Sequence, residues 1–139
     1  VEEKGSGWIQ ALCDPEARHV IALVDIGLVE ISAALAMKTR QGILPSPIRD
    51  KLIRDLRRDG QTQYWIIDAG HKIVNDAITM TCNHKLRGYD AVHLAAALFL
   101  RNTLLQHDLA PPIMLTADLE LLEAARAEGI VTDDPNMHP

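Results

Sequence analysis

Aromatic residues make up only 4% of this 139-residue chain, which excludes a core built on large rings. Aliphatic side chains must fill the interior, and the abundance of Ala and Leu points to a largely helical one. Cysteine is also rare. Cys13 and Cys82 have no metal-ligand spacing and read as two buried thiols of a reduced cytosol. No apolar run approaches the roughly 18 uncharged residues that a membrane span requires, so no membrane segment is expected. A signal-peptide pattern is missing too, and the expected location is cytoplasmic. There is no HExxH zinc pattern, and no glycine-rich loop follows any strand-like run, which counts against binding of a phosphorylated small molecule. The formal net charge of −5 argues against a protein that coats nucleic acid without specificity.

What the chain does have is 47% hydrophobic content, enough to bury a core in one domain of this length. Apolar runs alternate with helical spacing. His19 to Val24 reads as a buried strand, Asp25 to about Gln41 as a helix capped by Asp25 and stopped by Gly42. Pro45 and Pro47 open a second helix with the stripe Ile48, Leu52, Ile53 and Leu56, ending at Gly60. Gln63 to Ile67 is strand-like, and about Ala69 to Cys82 is helical with Ile73, Val74, Ala77 and Ile78 inward. The helix containing Asp90 runs to about Gln106, beyond which Pro111-Pro112 breaks the chain. Ile113 to Thr116 is a strand, Asp118 to about Glu128 a helix, and Ile130 to Thr132 a last strand. Ser6 reads as the cap of a short opening helix that carries Trp8, Ile9 and Leu12. Strands separated by helices predict an α/β fold with a mainly parallel sheet, in a single domain spanning residues 1–139.

Three acids stand in apolar settings: Glu30, Asp90 and Asp118. An unpaired buried carboxylate costs several kcal/mol by order of magnitude, so such acids are paired, hydrogen-bonded or bound to a metal. In a parallel α/β sheet, ligands bind beyond the carboxyl ends of the strands, where helix starts gather. Asp118 begins a helix just past a strand, Asp90 opens its helix, and Glu30 lies about one turn into another. Clustered carboxylates repel, and a hard cation such as Mg²⁺ or Mn²⁺ relieves that conflict. Each acid also has a plainer reading: Asp118 as a helix cap, Asp90 as a partner of the helix dipole, Glu30 as an edge residue. His93 reads as a hydrogen-bonded core histidine, and Asp133 and Asp134 as structural residues of a terminal turn. Seven of the 14 basic residues fall between Lys38 and Arg58: Lys38, Arg40, Arg49, Lys51, Arg54, Arg57 and Arg58. They form either a solvated face or a surface that engages phosphate.

The run Leu86-Arg87-Gly88-Tyr89-Asp90-Ala91-Val92-His93-Leu94-Ala95 resembles an acidic motif of the PIN domain family, as found in VapC-like toxins. Leu115-Thr116-Ala117-Asp118 with Leu121, Leu122 and Ala125 is similar to the family's next motif. Val29-Glu30-Ile31 with its Ala-Leu helix resembles an earlier one, and Gly129-Ile130-Val131 with Asp134-Pro135-Asn136 the C-terminal strand. The resemblance implies a three-layer α/β/α fold and an endoribonuclease of a bacterial toxin–antitoxin pair, dependent on Mg²⁺ or Mn²⁺. Carried over, Glu30, Asp90 and Asp118 are metal-site and catalytic acids, Thr116 supports the site or the scissile phosphate, and Lys38 and Arg40 guide RNA. An antitoxin partner and homodimers are implied as well. The family's first strand, which ends in an aspartate, has no counterpart here; an additional segment upstream of Val1 is expected, the alternatives being a strand added by a partner chain or a truncated, inactive relative. A chain without it is expected to cleave RNA poorly, and the alternative reading is a non-catalytic PIN-like interaction module.

Overall fold

The computed structural model describes residues 3–138. The chain forms two compact units, one of Val20–Asp68 and one of Val1–His19 with Ala69–Pro139. It is a mixed α/β protein, mostly helical, and among the described residues each of its two sheets is a parallel pair of strands.

In the Val20–Asp68 unit, β1 (Ala22–Val24) pairs with β2 (Trp65–Ile67), Ala22 opposite Trp65 and Val24 opposite Ile67. The strand is shorter than the apolar run from His19 because its partner offers a ladder only from Trp65 onward. Parallel strands need a crossover rather than a tight turn. That crossover is a pair of helices, α2 (Asp25–Arg40) and α3 (Ser46–Thr62). Asp25 opens α2, and its carboxylate accepts the Ile26 amide at 2.8 Å. Gly42, at φ 72°, turns the chain so that the Lys38 carbonyl accepts the amides of both Ile43 and Leu44. Gly60 does not end α3 as expected. It keeps helical dihedrals, and a Cβ there would meet Leu28 of α2 at 3.4 Å, so this glycine sits where two helices approach. The expected stripe of α3 also divides: Ile53 and Leu56 are half-buried, while Ile48 and Leu52 are exposed.

The other unit is organised around α4 (His71–Asn83) and α5 (Gly88–Gln106), joined by a short link and packed on each other. From α4, Ile73, Ala77 and Met80 are buried; from α5, Ala91, Leu94, Ala95, Ala96 and Leu100. Val74 and Ile78, expected inside, are exposed. Alanines on α5 let the helices come close, so the covered strip of α4 is narrow and one residue's rotation decides burial. β3 (Ile113–Leu115) pairs with β4 (Val131–Asp133) across α6 (Leu119–Ala127), whose Leu121, Leu122, Ala124 and Ala125 are buried. Gly129, at φ 78°, makes the turn out of α6.

Two further ties hold parts of this unit together. His84, the C-cap of α4, lies 2.7 Å from the Glu128 carboxylate at the end of α6, and Arg101 of α5 donates to the Glu128 carbonyl. The second tie joins α1 (Ser6–Cys13) to the 3₁₀ turn Pro135–Met137. Trp8 stacks on His138 with ring centroids 3.9 Å apart, and His138 reaches Asp133 at 2.9 Å. Asp134 accepts the Asn136 amide, so both terminal acids do the structural work expected of them. Gly5, not Ser6, is the N-cap of α1; it takes φ 83° and lies so close to the Pro135 carbonyl that a Cβ has no room. The Ser6 hydroxyl instead accepts the Glu3 amide.

Among the described residues, no helix is long and apolar enough to cross a membrane. Cys82 is exposed rather than buried because it falls off the Ile73–Ala77–Met80 strip, whereas Cys13 is partly covered and burial pushes its thiol pKa up. A limiting amount of a thiol-alkylating reagent is therefore expected to label Cys82 before Cys13, as read by peptide mass spectrometry. Leu94 is the largest fully buried side chain. Leu94→Ala is expected to lower unfolding free energy by roughly 2–5 kcal/mol in urea denaturation.

Candidate functional site

Asp90 and Asp118 come from different helices and converge on one cation. Asp90 lies in the first turn of α5, next to the buried Ala91 that anchors the helix start. Asp118 is the N-cap of α6. Between them stands Arg87, the N-cap of α5. Its Nε donates to Asp90 Oδ2 at 3.3 Å, and its Nη2 lies 3.5 Å from Asp118 Oδ2. The two Oδ2 atoms are thus separated by little more than a guanidinium and its contacts. The sequence pointed to both acids; it did not single out Arg87. The Arg-x-x-Asp spacing that brings Arg87 over the next turn was the available signal.

Asp118 serves two neighbours with two oxygens. Its Oδ1 accepts the Leu121 amide at 3.0 Å, a helix cap, while Oδ2 faces Arg87. Cap and site residue are therefore not rival readings of Asp118. Thr116 supports this arrangement from below: its hydroxyl accepts the Asp118 amide at 3.1 Å, and its own amide donates to the Asp133 carbonyl of β4. The side chain of Thr116 fixes the backbone from which the carboxylate projects.

Neither acid is buried as the apolar setting suggested; their side chains are 22% and 36% exposed. Helix starts leave the carboxylates at the rim while the rest of the first turn goes inward. One further ion pair joins the start of α6 to the link before α5, Glu120 with Lys85 at 2.7 Å, and the hydrogen bond that Lys85 donates to Glu120 pushes the Lys85 ammonium pKa up. The start of α6 and the approach to α5 thus hold three carboxylates, Asp90, Asp118 and Glu120, against two cations, Lys85 and Arg87. Positive helix ends at α5 and α6 add to the attraction for anionic groups.

Glu30 is half-buried on α2 and belongs to the Val20–Asp68 unit, as do Lys38 and Arg40. His93 is half-buried on α5. On α3 much of the basic charge is already answered: Arg49 pairs with Asp50, Lys51 with Asp55, and Arg58 with Asp55 and Asp59. These are surface pairs worth little each. Among the described residues, no group of three or more His, Cys, Asp or Glu side chains is gathered as a metal cluster. Asp90 and Asp118 each offer carboxylate oxygens partly open to solvent, the donor type that a hard divalent cation takes. Compared with known protein families the chain matches none, and no curated protein matches its sequence.

Because one oxygen of Asp118 caps α6, Asp118→Ala is expected to destabilise the protein by about 0.5–2 kcal/mol. Asp118→Asn keeps a capping oxygen and is expected to stay within a few tenths of wild type, so urea denaturation of the two variants separates cap from charge.

Proposed function

We propose that the protein is a PIN-type endoribonuclease, similar to VapC-like toxins, with a Mg²⁺ or Mn²⁺ site at Asp90 and Asp118. The observation that supports this reading most is the convergence of these two carboxylates, from the starts of α5 and α6, on the single cation Arg87. Two acids that share one positive group across two helices form a pair of oxygen donors. A three-layer α/β/α arrangement is part of the proposal. Glu30 enters it on its sequence motif.

When bound, a divalent cation supplies charge for the scissile phosphate and lowers the pKa of a water. The chain's own residues have distinct tasks. Asp90 and Asp118 hold the cation through oxygens not already committed to the backbone. Thr116 keeps Asp118 in register by accepting its amide. The N-terminal ends of α5 and α6 favour an anionic phosphate nearby. Lys38 and Arg40 would steer RNA, whose attraction then falls with salt. The resemblance adds an antitoxin partner, a homodimer and a cytoplasmic setting.

The test uses the full-length protein, a labelled single-stranded RNA and Mn²⁺. Metal-dependent cleavage is expected, reduced at least about 100-fold in Asp90→Asn and Asp118→Asn while their urea midpoints remain near wild type. Failure of the wild-type protein both to cleave RNA and to bind Mn²⁺ by calorimetry would replace this reading with a non-catalytic interaction module.

A further inference from the structure

We propose that Arg87 is a resident counter-ion that competes with the divalent cation for Asp90 and Asp118, and so sets the metal concentration at which the site fills. This rests on the function proposed above and concerns how that site is regulated.

The competition follows from which oxygens are available. Asp118 Oδ1 already accepts the Leu121 amide, so Oδ2 is the more open oxygen for a cation, and Oδ2 is the atom that faces Arg87. On Asp90 it is again Oδ2 that Arg87 contacts. A metal that uses these two oxygens must take them from the guanidinium.

Arg87 is also badly placed for any other task. As the N-cap of α5 it stands at the positive end of a helix, and it reaches to the positive end of α6 as well. A cation gains nothing from either helix dipole there. Among the described residues, the two carboxylates are what hold it. Their contacts, at 3.3 and 3.5 Å, are long for charged hydrogen bonds, and the Arg87 side chain is 81% exposed. Once a metal neutralises the carboxylates, two helix ends and the metal all repel the guanidinium, and solvent is open to receive it. The arrangement holds the two acids together when no metal is present and yields when one arrives.

The experiment is a calorimetric titration of Mn²⁺ into the full-length wild type, Arg87→Gln and Arg87→Lys, each checked for folding by urea denaturation. Arg87→Gln is expected to bind Mn²⁺ roughly 3–10-fold more tightly, the gain from removing a weak two-contact competitor. Arg87→Lys retains the charge but cannot span both carboxylates, and is expected to lie between the two; it carries the test should Arg87→Gln fail to fold. Equal or weaker Mn²⁺ binding by Arg87→Gln, with the wild type binding normally, overturns the competition and leaves the proposed ribonuclease site standing. Tight binding by Arg87→Gln alone supports it. Absence of binding in all three proteins removes the metal site itself, and the competition with it.

Discussion

The close packing of α4 on α5 is the constraint on which the candidate site depends. Ala91, Ala95 and Ala96 on one helix and Ala77 on the other are buried, and such small side chains let backbones approach without large interlocking residues. That contact fixes where α5 begins, and Asp90 projects from its first turn. The His84–Glu128 and Arg101–Glu128 ties then secure α6 to the same pair of helices at the far end. With one face of each helix buried along its length, the first turns of α5 and α6 still leave Asp90 and Asp118 at the rim.

Charge balance at those turns is finely divided. Helix starts favour carboxylates, carboxylates repel each other, and one arginine moderates the repulsion. Asp118 shows how a single side chain can meet a structural and a chemical demand together, one oxygen for each. Thr116 performs an allied task one step back in the chain, by holding the Asp118 amide. The site is thus continuous with the devices that start α6 rather than an addition to them.

Local rules made much of this legible from the residues. Gly42 and Gly129 were readable as turns because their conformations favour residues without a side chain, and Asp118 was readable as a cap because an acid just before a helix can accept its unpaired first amides. Gly60 misled for the same reason in reverse: a glycine can also serve close helix contact, and the Leu28 approach is a tertiary fact. The buried face of α4 and the exposure of Cys82 depended on the rotation of one helix against another, which periodicity alone leaves open by about one residue. Arg87 was hidden in plain view, since its bond to Asp90 is local but its reach to Asp118 spans the whole of α5 and β3 with the links after each.

The unit that carries Asp90 and Asp118 is discontinuous in sequence: its first part ends at His19 and its remainder starts at Ala69. Synthesis runs from the N-terminus, so α1 emerges from the ribosome well before the residues it must meet. Trp8 has to wait for His138, and Gly5 for Pro135, each more than a hundred residues later in the chain. The inserted Val20–Asp68 unit, by contrast, is continuous and can assemble as soon as it is made. Closure of the site-bearing unit therefore waits until the Pro135–Met137 turn has been made.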